Sequence, residues 1–443
     1  MAGFTSRLVM RVAVLLLAVG CLAASAQDPQ QGATDWPSTN FTQSANRYSP
    51  LTQITAENVA TLERVWSFHL KPADYTGRLR EDQAIPLVIG TTMYLASPYG
   101  AVIALDATTG AEQWRFDIPE NALPSKRGLA YWPGDGDVPP SLLFGASSGG
   151  LYSIKASDGT PNTGFGENGV VDLKTPEVMR NFTDAGYLLL SSPTIYKNLV
   201  ITGAGTGEGR AFPKGTGPSG DTRAWDARTG ELVWTFHTVP GPDELGYDSW
   251  AGDSARDRSG VNVWGPAYDP DLNLFISNTT NMFQPMRLIQ RPNGSWVNQG
   301  PLAGVRRFGD PDRRLLCGPT PWGELVAVNM TTGDIAYRKT LGVSDMLPAG
   351  LQDTGRPSSG GVILTASGLT FVGGSDDFRF RAFATATGEQ LWELRLPSSI
   401  ETTPITYLGA DGRQFVTVVS TGVGLTGSQV TNDEIIAFAL PMD

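Results

Sequence analysis

Apolar and polar residues alternate along residues 104–114 (ALDATTGAEQW), break at a polar turn closed by Gly110, and resume their alternation beyond it. Degenerate copies return at 153–159 (SIKASDG), 224–234 (AWDARTGELVW), 327–337 (AVNMTTGDIAY) and 382–392 (AFATATGEQLW). Period-two alternation running into a glycine predicts a β-hairpin, because glycine takes up the positive φ of a tight turn without steric cost. Three copies place a tryptophan four residues beyond the glycine, at Trp114, Trp234 and Trp392. A hairpin of this size cannot bury its own apolar face, so neighbouring units must stack, as they do in solenoids and propellers.

The turn glycines Gly110, Gly159, Gly230, Gly333 and Gly388 are 49, 71, 103 and 55 residues apart. A four-stranded blade takes about 40–50 residues. Most intervals therefore fit one blade plus insertions. The interval of 103 fits two, the extra unit centred on 267–278 (AYDPDLNLFISN), where Asp269-Pro270-Asp271 replaces the glycine turn. Alternation predicts further strands at 62–70, at 85–95 around Gly90, at 415–420 and at 434–440, the last pairing with residues near the N-terminus. Residues 51–60 predict a short helix with Thr55 as N-cap. Stretches without periodicity at 120–139, 175–188, 203–220, 240–260 and 281–315 read as loops, where binding chemistry concentrates.

Composition supports one large all-β structure. The 443 residues are 40% hydrophobic and include 52 glycines and 11 tryptophans, enough for an extensive core with many turns. A net charge of -11 without clustered Lys and Arg argues against a nucleic-acid partner. Arg7 and Arg11 precede the apolar run 12–19, and Ala24-Ser25-Ala26 forms an A-x-A site, so residues 1–26 read as a cleaved signal peptide. The expected mature chain, 27–443, is a single domain in the periplasm or outside the cell. A membrane anchor is the competing reading of the apolar run, which is short of a full span, and Gly20-Cys21 leaves lipid anchoring open. No later window has the length or apolarity of a membrane helix. Cleavage would leave Cys317 as the only cysteine, so the mature fold is expected to hold by packing alone. There is no CxxCH motif for an attached c-type haem, so electrons from any redox reaction must leave to a separate acceptor. Two histidines and no Cys/His cluster argue against zinc or copper.

Several segments carry a more specific signal: DWPS (35–38), NRYSPLTQI (46–54), RGLAYW (127–132), FGENGVVDL (165–173), PWGELVAVNMTTG (321–333) and FRAFATATGEQLWELRLP (380–397). In this order they resemble the pyrroloquinoline quinone (PQQ) dependent quinoprotein dehydrogenases. The resemblance implies a single closed β-propeller with tryptophan-docking repeats. It implies PQQ and Ca2+ as cofactors and oxidation of a small alcohol or sugar at a hydroxyl.

The resemblance also assigns residues. Arg127 matches an arginine that contacts a PQQ carboxylate or quinone oxygen, and would otherwise bridge two blades. Gln83 matches a group beside the cofactor, and Ser191 or Ser192 a hydroxyl on a cofactor carboxylate. Trp264 matches the tryptophan stacked beneath the quinone, or is simply core. Glu208 and Asn281 fall where the family places oxygen ligands to Ca2+.

The passage that bears the family's aspartate base and a lysine is replaced here by residues 281–314. This shortening implies seven blades, with six or eight as alternatives. Asp310 and Asp312 are the first candidates for the missing base, followed by Asp243, Glu244, Asp248 and Asp253, each of which is otherwise a solvated loop carboxylate. A propeller enzyme of altered, non-redox chemistry and a non-catalytic ligand-binding or scaffold protein remain open beside the dehydrogenase.

Overall fold

The structure is a computed structural model describing residues 34–179, 187–203, 220–237, 243–244, 247–249, 266–281, 287–290, 296–299, 309–310, 315–316, 318–422 and 432–442. It is built from β-strands. Among the described residues, six sheets have four or five strands each. The first contains Leu87–Ile89, Thr92–Ser97, Ala101–Asp106 and Glu112–Asp117; the second Ala130–Trp132, Ser141–Gly145, Gly150–Lys155 and Val170–Asp172. The third contains Thr194–Tyr196, Leu199–Gly203, Thr222–Asp226 and Leu232–Phe236; the fourth Ala267–Asp269, Leu274–Thr280, Gly323–Asn329 and Ile335–Thr340. In all four the strands lie side by side in chain order and antiparallel, which is the layout of a propeller blade.

The fifth sheet adds Tyr48–Ser49, parallel, to Val362–Thr365, Leu369–Val372, Arg379–Ala384 and Gln390–Arg395. The sixth joins the two ends of the described chain: Glu63–His69 pairs antiparallel with Glu434–Ala439, which lies beside Gln414–Gly422. The expected contact between the last strand and the N-terminal region is therefore present. It leaves Glu434–Ala439 paired on both sides, with no open edge for another chain to join.

Three of the five repeated turns share a chemistry. At Asp106 the side chain accepts from the backbone N–H groups of Thr108 and Thr109 at 3.0 and 2.8 Å, and the Gly110 N–H returns to the Asp106 carbonyl at 2.8 Å. Asp226 and Asn329 do the same before Gly230 and Gly333. A short polar side chain thus satisfies the turn's donors while the glycine adopts φ near +75°. The glycine also makes room for an aromatic of the preceding sheet: Trp66 packs on Gly110, Trp114 on Gly159 and Tyr337 on Gly388.

Two expectations are corrected. Among the described residues the interval between Gly230 and Gly333 holds one four-stranded sheet, and residues 267–278 are part of it rather than a separate unit. Asp269 does cap a turn, accepting from the N–H groups of Asp271 and Leu272 at 2.9 Å, but the strands it joins are the first two of the sheet that carries Gly333. The surplus length is spent on an insertion with two small hairpins, Arg287–Gln290 with Trp296–Gln299 and Gly309–Asp310 with Leu315–Leu316. Residues 51–60 form turns rather than a helix, and a single 3-10 turn follows at Val59–Thr61. The Asn58 side chain takes the Thr55 N–H at 2.7 Å, closing a local loop that competes with a helix. Among the described residues no helix is long and apolar enough to cross a membrane.

Candidate functional site

A cavity of about 260 Å³ is lined by residues that reach it from six stretches far apart in the chain. Gln83 and Ile85 precede the first sheet, Arg127 lies between the first and second, and Ser277 and Asn278 sit on Leu274–Thr280 of the fourth. Ser359 leads into the fifth sheet, and Glu401 to Thr403 follow Ser399–Ile400 of the sixth. Arg47 enters from the N-terminal stretch.

The backbone brings several predicted residues together. Ile85 N–H donates to the Arg127 carbonyl at 3.3 Å, and Ile85 and Gly128 form a parallel bridge. This close approach requires glycine, since a Cβ at residue 128 would stand 3.0 Å from the Ile85 carbonyl oxygen in a backbone with φ +120°. Arg127 N–H in turn donates to the Leu190 carbonyl at 3.1 Å, which sets Ser191 and Ser192 beside it. Ser192 Oγ lies 3.4 Å from Thr39 Oγ1, and Ser191 is exposed; neither lines the cavity. Gln83 and Arg127 both do.

The cavity wall is cationic and rich in donors. Burial lowers the Arg127 guanidinium from its usual range, and lowers the buried Arg47 to about 10, so both stay charged at neutral pH. Arg47 is held by Asn40 Oδ1, which accepts from Nε at 3.1 Å and Nη2 at 2.7 Å. Sequence reasoning quoted Arg47 within NRYSPLTQI without giving it a role. Glu401 went unread for a different reason: a glutamate between isoleucine and two threonines matches no motif, and only the fold carries it to the cavity.

Thr402 supplies a further observation. It is 2% exposed, it lines the cavity, and its Oγ1 has no hydrogen-bond partner among the described residues. An unmet buried hydroxyl costs roughly 1–3 kcal/mol, which a polar ligand would relieve.

Other predicted residues lie elsewhere. Asn281 is exposed at the end of Leu274–Thr280, its Nδ2 donating to the Pro319 carbonyl at 3.3 Å, and it does not line the cavity. Asp243, Glu244 and Asp248 are exposed, and Glu244 meets His237 Nδ1 at 2.5 Å. Asp310 falls in the strand Gly309–Asp310, but its side chain, like Glu208, Asp253, Trp264, Asp312, Cys317 and the leader 1–26, lies outside the described residues. Among the described residues no three His, Cys, Asp or Glu side chains converge as a metal site.

Comparison with known proteins decides the family. The model of the PQQ glucose/ethanol/alcohol dehydrogenase β-propeller domain matches residues 36–284 and 260–416. The chain belongs to this family. The PQQ dehydrogenase relatives include a probable quinate dehydrogenase (quinone) of Xanthomonas campestris pv. juglandis, 29% identical over 387 positions that cover 77% of this chain and 45% of that protein. Quinoprotein glucose dehydrogenase A of Acinetobacter calcoaceticus is 23% identical over 653 positions, covering 93% of this chain and 80% of the relative. This chain thus spans under half of the quinate relative. Among solved structures, a europium-containing methanol dehydrogenase superposes with a TM-score of 0.62 at 19% identity, covering 93% of this chain and 99% of that one. At that identity the likeness carries the fold alone.

Proposed function

We propose that this family member is an exported dehydrogenase that oxidises an alcohol or sugar hydroxyl with PQQ held in the cavity. The observation that carries the reading is the wall itself: Arg47, Arg127, Gln83 and Thr402, all bearing hydrogen-bond donors, line one cavity. Such a set suits a planar anionic quinone bearing carboxylates. Two guanidiniums offset its charge, and burial strengthens each contact relative to water. When bound, PQQ would supply the electron-accepting quinone.

The chain's own part is binding and orientation. Arg127 would hold anionic oxygens, its place fixed through the Ile85 and Leu190 backbone contacts. Arg47 would add a second fixed charge, and Thr402 a hydroxyl already desolvated. Trp264 would supply a stacking face. Calcium would take Glu208 and Asn281, and the hydrogen bond from Asn281 Nδ2 to Pro319 orients an amide whose oxygen is a suitable hard donor.

The pairing of Glu63–His69 with Glu434–Ala439 supports a single closed ring. Seven blades would need one sheet more than the six described sheets of four or five strands. An alignment of 653 positions against a chain of 443 means that the glucose dehydrogenase relative carries segments this chain lacks, which supports the shortened reading. The A-x-A site at Ala24 to Ala26 supports export, and the lack of a haem motif supports a separate electron acceptor. The test is dye reduction by the mature protein saturated with PQQ and Ca2+, across primary and secondary alcohols, sugars and aldehydes. Turnover of at least one hydroxyl substrate is expected. Failure with all of them would move the protein to the ligand-binding class.

A further inference from the structure

We propose that Glu401 accepts the proton of the substrate hydroxyl, as the base that this shortened chain draws from a different sheet. The proposal rests on the dehydrogenase reading above. Glu401 is the only carboxylate among the described residues that line the cavity. It is 5% exposed, so its position there is not that of a solvated loop acid. Ser359 Oγ donates to Oε2 at 2.6 Å, and Ser399 Oγ to Oε1 at 3.3 Å. Two hydroxyl donors fix the rotamer, as a base aimed at one atom requires.

The neighbouring strand is shaped around this side chain. A Cβ at Gly422 would stand 2.2 Å from Glu401 Cγ and 2.8 Å from Oε1, so only glycine leaves space for the carboxylate. The next residue of the same strand, Thr421, accepts from the Asp82 N–H at 2.8 Å, which ties this wall to the stretch carrying Gln83. Asn278 reaches the Ser359 stretch from the fourth sheet, donating to the Gly360 carbonyl. Glu401 is therefore surrounded by fixed groups and shares its cavity with Arg47 and Arg127.

The step balances with one oxidant: Glu401 would take the hydroxyl proton on a carboxylate oxygen, and PQQ, when bound, would supply the two-electron acceptor for the carbinol hydrogen, leaving the substrate carbon as a carbonyl. Among the described residues the charged groups near Glu401 are Arg47 and Arg127 in the cavity wall, Asp82 behind Thr421, and Glu434 on the strand paired with Ser420.

The experiment uses the full mature chain with PQQ and Ca2+ and compares wild type with Glu401→Gln, Glu401→Asp and Ser359→Ala. Calorimetric titration with PQQ gives affinity, and reduction of a dye acceptor from acid to alkaline pH gives kcat. Glu401→Gln should bind PQQ within about threefold of wild type but lose roughly 100- to 10,000-fold in kcat, together with the acidic limb of the pH profile. Glu401→Asp should recover part of that loss. Ser359→Ala removes a donor to the ionised carboxylate, so its acidic limb should move to higher pH while its PQQ affinity stays unchanged. An active wild type with Glu401→Gln within tenfold of it, a folded Glu401→Gln that no longer binds PQQ, or an unmoved limb in Ser359→Ala would each overturn the assignment alone. A wild type that binds PQQ and turns over nothing would overturn it together with the dehydrogenase reading.

Discussion

The ring of Trp114 lies against Gly159, the turn glycine of the next sheet, where a Cβ at residue 159 would stand 2.7 Å from Trp114 Cε3. The same relationship joins Trp66 to Gly110 and Tyr337 to Gly388, at 2.6 Å each. The turn residue of one sheet is thus the docking floor for an aromatic of the sheet before it.

Gly159→Ala should therefore destabilise in two ways, through strain at φ +72° and through displacement of the Trp114 ring. Gly333→Ala is the control, since its φ of +77° is similar but nothing lies within 4 Å of a Cβ there. A positive φ costs roughly 1–2 kcal/mol for a residue with a Cβ, and overpacking adds about 1–3 kcal/mol. Denaturant unfolding should show the larger loss for Gly159→Ala. Equal losses would mean that the docking contact carries no stability.

Burial raises the Asp82 carboxyl to about 7 in the folded chain, above its ordinary 3.8. An acid raised on folding gives its most favourable contribution below the unfolded value. That contribution is lost as the unfolded chain ionises between about pH 4 and 7, and changes little above. Asp82→Asn should therefore match wild type near pH 4 and exceed its stability at pH 8 by up to about 4 kcal/mol. Unfolding curves measured at several pH values check this. Parallel pH dependence in the two proteins would contradict it.

Arg223 is buried with Nη2 2.9 Å from Asp221 Oδ2 and Nη1 donating to the Tyr187 hydroxyl at 3.0 Å. Arg223→Met should cost about 3–5 kcal/mol, because it removes the guanidinium of a buried ion pair and its hydrogen bonds to Asp221 and Tyr187. Replacing both residues, with Asp221→Leu added, should recover part of that loss. A double variant less stable than Arg223→Met would contradict the pairing.

The repeat was legible in the sequence because each unit is local. Alternation and a glycine turn lie within eleven residues, and Trp114, placed from spacing, packs where a docking residue should. Trp234 shows the limit of that logic: it has the same spacing after Gly230 but remains 39% exposed. Spacing fixes where a side chain emerges from its strand, whereas docking also needs a partner surface, which no pattern local to Trp234 encodes. The cavity was legible only in part. Gln83 and Arg127 came through segments with family likeness, while Glu401 and Thr402 owe their place to contacts across hundreds of residues, which no local pattern encodes.

Calorimetric titration of the mature protein with PQQ, with and without Ca2+, bears most directly on the claim that this cavity is a quinone site. One PQQ per chain should bind, and Arg127→Ala should weaken binding by about 10- to 100-fold through loss of charge-assisted hydrogen bonds. A wild-type protein that shows no binding in either condition, or an Arg127→Ala variant with unchanged affinity, would contradict it.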